Sequence, residues 1–370
     1  MRSILLIALA FFLSHEINAQ GCCSGGSGSP IAGGVSQGVL LDRQMEVATN
    51  YQYIGLDSFK AGDRDTARTF DNFKSNYLYF KIAYGVSKNL TFSVESGYFL
   101  NKTQIGLDHI DTVKSGGIGD LILFPRYDIL NHTEEKKRTE ITLGMGYKIP
   151  LGKYNDSTVV YTNPQTGQKY YTTSPPSVQP TNGSNDFIFY GFFFRGFPLK
   201  NFRLFANVLY VKKGWNPLGQ KFGDYSSVGL FFGTTFFKKL GVTLQIKGEH
   251  ISKMQYDKNI DMLALYNIDV KATGSRKIFF VPQISYSYKS FTVFALSEIP
   301  LYQYVNYQQV ASHYQVTVGL SYRFFTYKSG VVKPTDQTGP ADYYCPMHPE
   351  ETSTVPAKCP KCGMDMEKKK

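Results

Sequence analysis

Apolar and polar positions alternate with a period of two along most of this chain. In LTFSVESGYF, Leu90, Phe92, Val94 and Tyr98 fall on one side, with Thr91, Ser93, Glu95 and Gly97 on the other. EITLGMGYKI repeats the rhythm, setting Ile141, Leu143, Met145, Tyr147 and Ile149 against Thr142, Gly144, Gly146 and Lys148. Successive side chains of a strand point to opposite faces, so such segments are strands with one apolar face. The pattern predicts strands near 44–54, 77–86, 90–100, 118–130, 139–150, 186–196, 202–212, 225–237, 241–251, 277–288, 291–301 and 313–325. Some connections are very short: Ser87-Lys88-Asn89, Lys238-Lys239-Leu240 and Lys289-Ser290. Others are long, the longest running from Leu151 to Asn185 and rich in Tyr, Thr, Ser, Pro and Asn. Short turns on one side and long loops on the other mark an outer-membrane barrel, with the short turns in the periplasm. The expected fold is therefore all-β, a transmembrane antiparallel β-barrel of about twelve strands. An even strand count returns both termini to the periplasm.

A soluble sandwich or lipocalin-like barrel also alternates, but it turns its apolar faces inward. Here the faces opposite the apolar ones carry Gly and charge. A charge on the lipid face costs up to roughly 2–4 kcal/mol at mid-depth. Glu46, Glu95, Asp120, Arg126, Lys148, Lys247, Glu249, Glu298 and Arg323 are accordingly expected to face the lumen. They either line a pore or pair and plug it. In YQVTVGLSYRF, Thr317, Gly319, Tyr322 and Phe324 resemble the C-terminal signal read by the barrel assembly machinery. That signal lies well before the chain end, so a further segment is appended.

Composition fits an exported barrel. Aromatics make up 15% of the residues with a single Trp, and no segment after the N-terminus has the ~20 continuous apolar residues of a transmembrane helix. The N-terminus itself, MRSILLIALAFFLSHEINAQ, has Arg2, an apolar run from Ile4 to Leu13 and small residues up to Ala19. Residues 1–19 read as a secretory signal peptide, too short in its apolar run to span as a stop-transfer helix. Residues 20–43 form a Gly/Ser-rich leader in which Cys22 and Cys23 invite a lipoprotein reading, although the preceding Gln20 departs from the usual lipobox. The net charge of +11 comes from lysines scattered over turns and the C-terminal Lys368-Lys369-Lys370. With no single basic patch, nucleic acid is not an expected partner, whereas anionic outer-membrane lipid is. The barrel is expected over 44–325.

GGIGDLILFPRYDIL (116–130), followed by ITLGMGYKIPLGKY (141–154), resembles the outer-membrane proteins grouped under meta-pathway phenol degradation. The shared features are a Gly-Gly-x-Gly-Asp strand start and an apolar strand closing in Pro-Leu-Gly. This resemblance implies passage of small, often hydrophobic, compounds.

After Phe325 comes a polar Gly- and Pro-containing linker, 326–342, and then residues 343–370: YYCPMHPEETSTVPAKCPKCGMDMEKKK. Cys345 and His348 are spaced C-x-x-H, and Cys359 and Cys362 C-x-x-C. Two-residue spacing turns both side chains of a pair toward one point. Two such knuckles supply three thiolates and an imidazole, a tetrahedral set for Zn(II). Met347, Met364 and Met366 add thioethers, which suit Cu(I) or Ag(I), or simply pack over the knuckles. A disulfide between Cys359 and Cys362 is the competing reading in an oxidising periplasm. The segment resembles the small heavy-metal-binding domain of copper and silver efflux adaptors and copper-transporting ATPases, which implies Cys345, His348, Cys359 and Cys362 as ligands with Met347 and Met364 as soft partners. It also implies one ion of Cu(I), Ag(I) or Zn(II), and periplasmic metal-efflux components as partners.

No nucleophile elbow, phosphate loop or His/Ser constellation is present, and no enzymatic activity is expected. The expected function is an outer-membrane barrel with a periplasmic metal-binding tail, acting in transport or tolerance of copper, silver or zinc. Two alternatives remain open: a non-conducting anchor carrying a metal sensor or sink, and a channel for small hydrophobic compounds.

Overall fold

A computed structural model describes residues 18–19, 38–107, 112–134, 137–197, 202–237, 239–262, 268–326, 343–345, 348–353 and 366–368. Twelve long strands form one sheet: β1 Gln44–Leu56, β2 Asn72–Gly85, β3 Leu90–Ile105, β4 Val113–Glu134, β5 Lys137–Pro150, β6 Asp186–Phe197, β7 Phe202–Lys212, β8 Tyr225–Phe236, β9 Leu240–Ile251, β10 Ser275–Tyr288, β11 Phe291–Val310 and β12 Ser312–Phe325. Each pairs antiparallel with its sequence neighbours. β12 then closes on β1, in register from Tyr314↔Gly55 to Phe325↔Gln44. Closure matters because a strand edge left open in lipid would strand its N–H and C=O groups.

The faces sort inside out relative to a soluble protein. On β5, Leu143 and Met145 are 50% and 60% exposed, whereas Thr142 before them and Lys148 after them are buried. On β12, Val318, Leu320 and Tyr322 are outward, while Thr317 and Ser321 are buried. An exposed apolar belt around a buried polar lining is stable only in a hydrocarbon surround. Among the described residues no helix is long and apolar enough to cross a membrane. The short ends are closed by tight hairpins in which Phe237 (φ 49°) and Lys289 (φ 54°) take the left-handed conformation. The two-residue Lys289-Ser290 turn demands that conformation to match the strand twist.

All twelve expected strands are present, but several run beyond their alternating core. β2 starts at Asn72 rather than near 77, β4 covers 113–134, and β11 continues to Val310. The added residues mix polar side chains with Phe73, Val113, Val305 and Val310, so the sequence alternation lapses although the hydrogen bonding continues. Register shifts at Asn76/Tyr77 and between Phe99 and Lys102 scramble the period there. The long-loop end is folded back on itself. Residues 157–162 and 169–173 form a hairpin, and 174–185 then descends into the barrel mouth with Val178, Thr181 and Ser184 fully buried.

The C-terminal end of the Gly/Ser-rich leader enters the barrel. Gly38 and Leu40 are buried at the short-turn end. Upstream of this segment only Asn18 and Ala19 are described, pairing with His313 and Ser312. The signal-peptide run 1–17 and Cys22 and Cys23 lie outside the described residues, as does linker 327–342.

Candidate metal module and barrel lumen

Lumen charges gather into separate networks, most of them joining strands that are not all neighbours. Near the closing seam, Glu46 on β1 meets Lys81 Nζ at 3.1 Å and Arg323 Nη2 at 3.2 Å, and accepts from the Ser321 hydroxyl at 3.1 Å. Glu95 accepts from the hydroxyls of Tyr79 and Ser93, the latter at 2.8 Å. Toward the long-loop end, Lys148 lies 3.1 Å from Asp120 and 3.0 Å from Asp186, which also binds Lys213 at 3.0 Å. On the opposite wall, Lys247 reaches Glu298 at 2.5 Å and Glu249 at 3.7 Å, with its ammonium 4.7 Å from the centroid of the Phe279 ring. Arg126 donates to the Gly38 carbonyl at 2.9 Å. All nine charges named from sequence have protein partners. Lys81, Lys213, Asp186 and Lys102 complete the networks and were not singled out from the sequence. Lys81 and Asp186 stand at lumen parity within their strands, the signal that would have found them, whereas Lys102 follows a register shift on β3 and Lys213 lies just past the end of β7, so parity does not reveal either.

One side of the lumen departs from the polar rule. Ile122, Phe124, Ile188, Tyr190, Phe192, Phe205, Leu209, Val211 and Phe231 pack into a buried cluster on β4, β6, β7 and β8. Phe205 and Phe231 stack at 4.5 Å, and Tyr190 meets Phe124 edge-on at 5.7 Å. Gly146 makes this possible, because a Cβ there would sit 2.9 Å from Cδ2 of Phe124 and 3.2 Å from Cβ of Ile188.

Both mouths are occupied by the chain itself. At the long-loop end, Lys102 donates to the Gln179 carbonyl at 2.7 Å, Lys148 to Asn182 at 2.6 Å, and the Thr181 hydroxyl to Asp120. At the short-turn end, the Leu40 amide donates to Thr91 Oγ1 at 2.7 Å, and Gly38 fits where any Cβ would overlap a Glu140 carboxylate oxygen. At this end the Thr326 amide also donates to the Arg43 carbonyl at 3.0 Å.

The tail forms its own small sheet: β13 Tyr343–Cys345, β14 His348–Ser353 and β15 Glu367–Lys368. β13 is central. It pairs Tyr343↔Ser353, Tyr344↔Thr352 and, after a bulge, Cys345↔His348 on one side. On the other it pairs Tyr343↔Lys368 and Tyr344↔Glu367. Cys345 and His348 therefore stand in register on two paired strands. Cys345 is fully buried. Cys359, Cys362, Met347 and Met364 lie outside the described residues, and no group of three or more His, Cys, Asp or Glu stands together among the described ones. A buried thiol in register with a histidine is a donor pair that fits a borderline or soft ion.

Residues 343–369 match the family model of the heavy metal binding domain. No curated protein matches the chain. Among solved structures, the COG4313 outer membrane channel from Pseudomonas putida F1 is similar at TM-score 0.57 and 10% identity, over 79% of this chain and 99% of that one. The KdgM porin aligns at TM-score 0.37 and 9% identity, over 75% and 99%. The translocator domain of the autotransporter NalP from Neisseria meningitidis aligns at 0.43 and 13%, over 88% and 95%. The fold is thus that of an outer-membrane barrel, channel-like in architecture, carrying a C-terminal heavy-metal-binding domain.

Proposed function

We propose that this protein works without enzymatic chemistry in transport or tolerance of copper, silver or zinc, its tail capturing the ion in the periplasm at the barrel mouth. The observation that carries the reading is the heavy-metal-binding domain at 343–369, with buried Cys345 in register with His348. Cys359 and Cys362 complete the ligand set in this proposal, with Met347 and Met364 as soft partners. Thr326, the last described residue before the linker, is hydrogen-bonded to Arg43 at the short-turn end, and a linker of 17 residues, 326–342, spans at most about 60 Å when extended. The module is therefore held at a high local concentration near that mouth. Handing an ion to or from periplasmic efflux components would use this tether.

A second reading is favoured by the occupied lumen. Paired charges, an aromatic wall and two inserted segments suit a non-conducting anchor whose tail is a metal sensor or sink. The experiment is growth of cells lacking the native gene and carrying the full chain, a chain ending at residue 326, or none, under graded copper, silver and zinc. Our reading expects tolerance to at least one ion to follow the tail, with the truncated chain resembling none. Equal growth of the three strains at every concentration would contradict a role in metal handling. Conductance of the purified barrel in planar bilayers then separates transport from anchorage.

A further inference from the structure

We propose that Met366 supplies a thioether ligand to the ion held by Cys345 and His348, making the module selective for Cu(I) or Ag(I) over Zn(II). The inference rests on the metal-binding reading above and refines it. Its basis is the register of the small sheet. Tyr343 pairs with Lys368 and Tyr344 with Glu367. Continuing this antiparallel ladder by one residue sets Met366 opposite Cys345. Directly opposed residues share a face, with Cβ atoms about 4.5–5.5 Å apart. Two sulfur atoms on flexible or short side chains at that spacing can reach one ion. Burial agrees: Cys345 is fully buried and Met366 only 9% exposed, in a module of fewer than thirty residues. The same Cys345 is in register with His348 on its other side. Cys345 therefore stands on the central strand, with His348 on one neighbouring strand and Met366 immediately preceding the other.

The alternative is that Met366 only covers Cys345, as methionines do in irregular cores. Leu separates the two roles, since it nearly conserves the volume and apolarity of Met while removing the sulfur. A packing role survives the exchange and a ligand role does not. Thioether sulfur adds little to Zn(II) and much to Cu(I) or Ag(I), so the loss should be metal-specific.

The test uses the full chain in detergent under reducing conditions, wild type against Met366→Leu with Met347 and Met364 kept. Cu(I) affinity is read by competition with a Cu(I)-specific chelator, and Zn(II) affinity by a zinc-chelating dye. We expect Cu(I) affinity to fall about tenfold or more, beyond the lower range for losing even an indirect supporting group, with Zn(II) affinity unchanged. In methionine methyl-labelled wild type, titration with Ag(I) should shift the resonance that Met366→Leu deletes. Equal Cu(I) affinity in both proteins, or a parallel fall for Cu(I) and Zn(II), would make Met366 a packing residue and overturn the inference, as would an unshifted methyl. If the wild type itself takes up neither Cu(I) nor Ag(I), the metal reading fails along with it, a result distinct from wild type and variant binding alike.

Discussion

Replacing Glu46 by Gln removes one charge from the seam at which β12 closes on β1, while keeping the side chain's size and its capacity to accept a hydrogen bond. The carboxylate is 2% exposed and lies between Lys81, 8% exposed at 3.1 Å, and Arg323, 33% exposed at 3.2 Å. Taking one partner from a buried ion pair typically costs about 3–5 kcal/mol, because the remaining charge is left desolvated. Lys81 has little route to water and bears most of that cost. Arg323 is partly solvated and recovers some of it, so the lower end applies, about 3 kcal/mol. That is roughly a hundredfold in the unfolding equilibrium. An internal control is Asp65→Asn, which breaks the 2.6 Å pair with Lys60 at a carboxylate 84% exposed. Such surface pairs contribute under about 1 kcal/mol. The assay is urea titration of the refolded protein in lipid vesicles, with the folded fraction read from the faster-migrating band of unboiled samples. Glu46→Gln should lower the midpoint well below both wild type and Asp65→Asn. Coincident midpoints for the two variants would refute the claim that the lumen network holds the seam.

Deleting Gly38–Leu41 removes the segment hydrogen-bonded to Thr91 and Arg126, and should raise single-channel conductance in planar bilayers above that of the full chain; equal traces would mean that the leader does not limit passage. Gly146→Ala places a methyl against Phe124 and Ile188, and overpacking of that kind should lower barrel stability by about 1–3 kcal/mol in the same urea assay, whereas no change would show the aromatic wall to be loosely packed. An epitope inserted at Gln165, in the exposed hairpin of the long-loop end, should bind antibody on intact cells, and one after Lys370 only after the outer membrane is permeabilised; labelling of the C-terminal tag on intact cells would invert the assigned orientation.

Legibility in the sequence followed the physics of each element. Strands such as Leu90–Leu100 and Ile141–Ile149 announce themselves because lipid on one side and lumen on the other impose opposite demands on successive residues. The loop from Leu151 to Asn185 was bounded to the residue for the same reason, since alternation stops where the environments stop differing. Strand β6 shows the limit of that logic. In DFIFYGFFFRGF aromatic residues occupy both parities, and the continuous run meant a lumen wall as apolar as the lipid face, not a weaker strand. Period-two reasoning that expects a polar lumen misses the cluster around Phe124 and Phe205. The inserted segments were invisible for another reason. SPPSVQPTNGSN and the end of the leader carry the composition of solvated loops, and their burial depends on Lys102, Lys148, Thr91 and Arg126 contributed by distant strands. In the tail, C-x-x-H and C-x-x-C spacing named four ligand candidates. Pairing Met366 with Cys345 required the ladder Tyr343↔Lys368 and Tyr344↔Glu367, which no spacing rule contains.

Metal binding by the intact protein tests the central claim most directly. The reduced full chain in detergent should take up one equivalent of Cu(I) or Zn(II), and a chain ending at residue 326 none. Binding must displace thiol protons, so affinity should weaken as pH falls below the free thiol range near about 8.5, to a degree set by how strongly the metal drives deprotonation. Cys359→Ser with Cys362→Ser, which leaves the barrel untouched, should abolish uptake of either ion. Stoichiometric uptake that persists in the double-Ser variant or in the truncated chain would contradict the account and move the metal to another part of the molecule.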